Sequence, residues 1–144
     1  MFWNIGGVIL ETKSNMKVNK YKQKLTLQIS NILRSLGLNF SIKGTVLINE
    51  AIRIMLEEIE YENYLIVNDI YIRVAEYYNI DFLQVKTYIQ YALDHRNIIK
   101  SKENFEKVFG FEYNTYYFTS KRFLEEIFNL LIVYNNKDSL LQNR

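Results

Sequence analysis

Between residues 83 and 91 the sequence sets Leu83, Gln84, Lys86, Thr87, Gln90 and Tyr91 around Val85 and Ile89. On a 3.6-residue helix, Val85, Ile89 and Leu93 share one face and the first set lies on the other. A glutamine amide both donates and accepts, so it can take an adenine edge with two bonds. Lysine reaches guanine or a phosphate, and threonine meets bases or the thymine methyl. These residue types suit the major groove of DNA, with Arg96 close behind. The plain alternative is the solvated side of an amphipathic helix, since Asp94 offsets the few cations, Lys86 and Arg96.

Other chemistry has thin support. The absence of cysteine excludes disulfides, thiolate zinc sites and thiol catalysis. His95 is the single histidine; it suits a helix C-terminus or a phosphate, but alone it makes no catalytic dyad and no multi-histidine zinc site. Glu57, Glu58, Glu60 and Glu62 could gather a divalent cation, yet their spacing spreads them around a helix, which favours a solvated face. Tyr113, Tyr116, Tyr117 and Phe118 could stack on bases or form a partner surface; packing within a connector is the stronger reading. No glycine-rich phosphate loop, nucleophile elbow or carboxylate pair is present. The expectation is a protein that is not an enzyme, with no metal and no cofactor.

Positioning those residues requires a scaffold. The 144 residues suit one domain. Proline is absent and glycine occurs five times, which favours helices over turn-rich sheets. The net charge of +2 hides an uneven distribution. Residues 1–24 hold Lys13, Lys17, Lys20, Lys22 and Lys24 against Glu11. Residues 25–81 are acidic, residues 82–107 mildly basic, and the remainder balanced. The opening MFWNIGGVIL lacks a basic lead and a cleavage site and is too short to span a bilayer. A cytoplasmic protein without a membrane segment is expected.

The fold class read from the pattern is all-α, about six helices with a central helix-turn-helix. Leu25, Ile29, Ile32, Leu33 and Leu36 form the first stripe, stopped by Gly37. A second helix spans about 45–61 on Ile48, Ala51, Ile52, Met55 and Ile59. A third starts near Asn68 as N-cap, with Asp69 in its first turn. It buries Ile70, Val74, Ala75 and Tyr78 and breaks at Asn79. Asp81 then caps a fourth helix, 82–96. A short helix at Glu103–Phe109 stops at Gly110, residues 111–118 form a β-like or extended connector, and a last helix from Thr119 or Ser120 buries Phe123, Ile127, Leu130 and Leu131. The domain reading is a flexible basic extension over 1–24, a helix-turn-helix domain over 25–134 and a polar, fraying tail over 135–144.

Three stretches add a family resemblance: ILRSLGLNFSIKGTVLINEAI from Ile32, YIRVAEYYNIDFLQVKTYIQYALD from Tyr71, and NFEKVFGF from Asn104 with Thr119, Ser120 and Phe123 beyond it. Over roughly residues 25–131 the chain resembles the C-terminal effector domain of the master regulator of sporulation initiation, the stage-zero sporulation protein A family of endospore-forming bacteria. The resemblance implies sequence-specific DNA binding at promoter boxes, with contacts carried onto Leu83, Gln84, Lys86, Thr87, Gln90 and Tyr91. The family has arginines at the positions of Gln84, Thr87 and Gln90 and an acid at Lys86. Specificity has therefore moved, towards A/T-rich sites read by glutamine, or DNA binding is weakened and the fold serves as a protein-interaction module. The resemblance also implies contact of Asp94–Lys107 with the RNA polymerase sigma subunit, and a homodimer on DNA. The family carries a receiver domain, for which the residues ahead of the first helix leave no room, so a receiver-less regulator is expected. The basic lead is then either a phosphate-binding arm or a solvated linker.

Overall fold

A computed structural model describes residues 13–60 and 67–142. Six α-helices account for most of them: α1 Lys13–Ser35, α2 Lys43–Glu60, α3 Val67–Tyr78, α4 Phe82–Asp94, α5 Ile98–Phe109 and α6 Ser120–Gln142. A short 3₁₀ helix, Thr115–Phe118, precedes α6, and no strand occurs among the described residues.

The apolar stripes explain the packing. Ile29, Leu33 and Leu36 of α1 are fully buried, as are Leu47, Ile48, Ala51 and Ile52 of α2. α2 is the central helix and touches α1, α3, α4 and α6. It can do so because its stripe is wide: Met55 and Leu56 extend the buried surface towards its C-terminal half. Phe123, Leu124, Ile127 and Leu131 of α6 close the core, whereas Leu130 is only half-buried. One polar pair sits inside: Asn49 donates to Ser30 Oγ at 2.6 Å, joining α2 to α1.

Several expected boundaries are corrected. α1 begins at Lys13 rather than near residue 21, so residues 13–24 of the basic lead are helical. α5 begins at Ile98 rather than Glu103, because Asn97 caps it through a bond from the Lys100 N–H to its side chain at 3.1 Å. The connector before α6 is a 3₁₀ turn rather than β-like, since the Asn114 side chain accepts the Tyr116 N–H and starts a tight turn. α6 continues through the supposed tail to Gln142. Asn68 lies within α3 rather than capping it. The glutamate surface is occupied: Arg53 bonds Glu50 and Glu57, and Arg73 bonds Glu58. The opening MFWNIGGVIL with Glu11, and Glu62, lie outside the described residues.

Candidate nucleic-acid interface

The helix-turn-helix is built from α3, a three-residue turn and α4. α3 ends because Asn79 takes φ +53, a left-handed conformation that asparagine tolerates better than most residues. The Ile80 N–H then returns to the Ala75 carbonyl at 3.0 Å. Asp81 is the N-cap of α4, and its N–H donates to the Gln84 side chain at 2.9 Å, one half of a capping box. Val85, Ile89, Ala92 and Leu93 are completely buried, which fixes the rotation of α4 about its axis.

α2 supports α4 from behind. A Cβ on Gly44 would overlap the Tyr88 carbonyl oxygen, so the first turn of α2 lies directly against the α4 backbone. Beside it the Lys43 ammonium sits 5.0 Å from the Tyr88 ring centroid. At the far end Gly37 has φ +90 and accepts the Asn97 N–H at 2.8 Å. A side chain there would run into the Asn97 carbonyl.

The seven candidate residues do not share one situation. Leu83 and Tyr91 are 64% and 52% exposed, and Lys86 and Thr87 are exposed between them. The Thr87 hydroxyl donates back to the Leu83 carbonyl at 2.9 Å. That leaves an acceptor oxygen and a methyl group for an incoming partner. Lys86 has no carboxylate partner among the described residues; its ammonium lies 5.8 Å from the Phe82 ring centroid. The Tyr91 ring stacks on His95 with centroids 3.8 Å apart. Gln84 is exposed at the N-terminal end, with its carbonyl engaged by the cap.

Gln90 and Arg96 are held by the fold. Gln90 Oε1 accepts from both the N–H and the hydroxyl of Ser120, each at 3.0 Å. Its Nε2 donates to the Phe118 carbonyl at 3.1 Å and to Asp94 at 2.9 Å. Arg96 stands two residues beyond the end of α4, which stops at Asp94 with His95 as C-cap rather than running to 96. Its guanidinium donates to Ser101 Oγ, the Leu93 carbonyl and the Tyr113 hydroxyl at 3.0, 2.8 and 2.8 Å. It also covers the Phe118 ring at 3.6 Å. The aromatic connector is a packed cluster around buried Phe105, within 6.0 Å of the Tyr113, Tyr117 and Phe118 rings. Residue types alone do not point to Ser120, which is thirty positions from its partner. Gly44 leaves little trace either, because a helix read from about residue 45 puts it in the preceding loop, where glycine is ordinary; only the start of α2 at Lys43 places it in a helix.

The family model for the sporulation initiation factor Spo0A C-terminal domain matches residues 29–131, from the buried stripe of α1 to the middle of α6. The chain belongs to this family. The Spo0A C-terminal domain is a DNA-binding effector domain of a transcription regulator, not an enzyme family, so the helix-turn-helix lies in a DNA-binding context. No curated protein and no solved structure matches the chain significantly. Among the described residues no helix is long and apolar enough to cross a membrane.

Proposed function

We propose that this member of the Spo0A C-terminal family is a sequence-specific transcription regulator that inserts α4 into the major groove of double-stranded DNA. The observation that carries the reading is the division of α4 itself. Val85, Ile89, Ala92 and Leu93 are sealed in the core, while Leu83, Lys86, Thr87 and Tyr91 stand exposed on the other side. Lys86 supplies charge for a phosphate or guanine, and Leu83 and Thr87 supply apolar contact for thymine methyls. Gln84 adds an amide at the N-terminal end. Gln90 and Arg96, engaged within the fold, act through position. A symmetric promoter box would be served by two copies of the chain, and the Asp94–Lys107 segment, with Lys100, Lys102 and Lys107, is the surface offered to the polymerase sigma subunit.

The test is selection from a pool of random duplexes, followed by fluorescence anisotropy at low and moderate salt. An enriched site and salt-dependent binding are expected. Lys86→Ala should weaken binding similarly across sequences and lower the salt slope by about 1. Thr87→Val should instead change base preference. Absence of both enrichment and salt-dependent binding overturns the reading.

A second reading draws on the same face. Leu83 at 64% exposure and Tyr91 at 52% form the apolar part of the exposed side, the material of a protein interface. A partner protein that binds α4 where no DNA binds, and whose binding Leu83→Ser abolishes, would favour an interaction module.

A further inference from the structure

Gln90 fastens the start of α6 to the exposed side of α4, and the residue that follows the fastening is a lysine. Ser120, the first residue of α6, gives both its N–H and its hydroxyl to Gln90 Oε1. The other end of the same amide holds the Phe118 carbonyl, two residues earlier. Three bonds of one side chain therefore hold both ends of the bend that leads into α6, and a fourth, to Asp94, steadies the amide on α4 itself. Gln90 follows Lys86 by one helical turn and precedes Asp94 by another, so the fastening lies along the edge of the exposed face.

Size then decides what the next residue meets. A helix with its side chains is about 10–12 Å across, and the major groove is about 12 Å wide. A helix seated in that groove fills it, so whatever is bolted to its flank stands over the rim. The rim consists of phosphates. Lys121 has its Cα about 3.8 Å from that of Ser120. It is exposed and has no ion-pair or hydrogen-bond partner among the described residues, and the first turn of α6 contains no acid. Its neighbour Arg122 is different: it bonds the Tyr116 hydroxyl at 2.8 Å and Glu126 at 3.4 Å.

We infer that Lys121 is a DNA phosphate contact beside the base-reading face, and that Gln90 is the positioning residue that brings it there. The inference rests on the major-groove reading of α4 and adds a second element, α6, to the interface. Gln90 then contributes to affinity without reading a base: its amide is spent on Ser120, Phe118 and Asp94, and its loss frees the first turn of α6, while Phe123, Leu124 and Ile127 keep the rest of that helix in the core.

The test uses the full chain and the tightest duplex recovered from the random pool, with anisotropy titrations over a range of salt. Lys121→Ala should weaken binding about 3- to 10-fold and lower the salt slope by about 1, with unchanged base preference. Gln90→Ala should weaken binding with base preference unchanged, and Lys121→Ala should add little to it. Ser120→Ala, which keeps the backbone bond to Gln90, should give a smaller loss of the same kind and covers the case in which Gln90→Ala does not fold. Arg122→Ala should leave the salt slope unchanged. If the parent chain binds and Lys86→Ala lowers the slope while Lys121→Ala does not, this inference falls and the major-groove reading stands. If Gln90→Ala shifts base preference, or its effect simply adds to that of Lys121→Ala, Gln90 reads DNA directly and the positioning role is overturned. If the parent chain binds no duplex, both readings fall together.

Discussion

Single residues in this molecule are informative when their partners are distant in sequence. Gln90 and Gln84 look alike in the sequence, two amides on one helix side, yet one joins α6 to α4 and the other closes a cap within four residues. The Gln84 bond is legible from local spacing, because a capping box has a fixed register. The Gln90 and Arg96 networks are not, because they close loops of thirty and seventeen residues and depend on which elements meet. Tyr71 is a further case. Its ring is buried, its hydroxyl has no hydrogen-bond partner of normal geometry, and burial pushes the phenol up to about 12, with Ser120 only partly offsetting this. The folded chain holds that proton more tightly than the unfolded chain, whose tyrosines titrate near 10. Tyr71 therefore leaves stability untouched below about pH 10 and erodes it as pH rises towards 12, by at most about 1.4 kcal/mol per pH unit. Tyr78 is shifted the same way, first through burial, so Tyr71→Phe should flatten the alkaline slope without abolishing it. Denaturant midpoints measured from pH 8 to 12 check this, and an unaltered slope would contradict it.

At the scale of elements, the existence of the helices and the stops at Gly37, Asn79 and Gly110 are legible, whereas several starts and the ends of α4 and α6 are not. Gly37 and Gly110 both terminate helices with positive φ, and Asn79 makes the turn between α3 and α4, as residue type and spacing imply. The early start of α1 has little signal, since the polar run Lys13–Lys24 lacks the stripe that begins at Leu25. The contact that sets the depth of α4 is the close approach of α2 at Gly44. Gly44→Ala places a methyl group on the Tyr88 carbonyl, and backbone cannot yield as a flexible side-chain end can. A destabilisation of about 1–3 kcal/mol is expected, together with weaker DNA binding, because α4 is displaced. Gly110→Ala offers the control: its Cβ meets nothing, so only the left-handed conformation is penalised, by about 1–2 kcal/mol, and the reading helix stays in place. Urea unfolding combined with anisotropy separates the two. Equal effects on binding at matched stability would refute the special role of Gly44.

For the molecule as a whole, charge is divided between acids paired with arginines on the early helices and lysines beside α4 left unpaired among the described residues. Acids of α2 meet arginines of α2 and α3, Arg53 with Glu50 and Glu57 and Arg73 with Glu58, mostly at partly exposed positions of small net value. Lys86 and Lys121 stay without such partners. Added salt should leave the unfolding midpoint nearly constant while DNA affinity falls steeply. Parallel titrations of denaturation and binding at low and high salt check this, and a fold that melts with salt as fast as binding is lost would contradict it. One contact at this scale reaches further. The bond from the Asn97 N–H to the Gly37 carbonyl ties the chain to itself on either side of α2, α3 and α4. The whole reading unit thus hangs between two points that already touch. Closing so long a loop adds little entropy cost over a shorter one. Residues 38–96 therefore suit exchange as a block with the same stretch of another family member: a DNA preference is expected to travel with them, provided the receiving chain keeps a glycine at the first seam and matches the faces that α2 packs on α1 and α6.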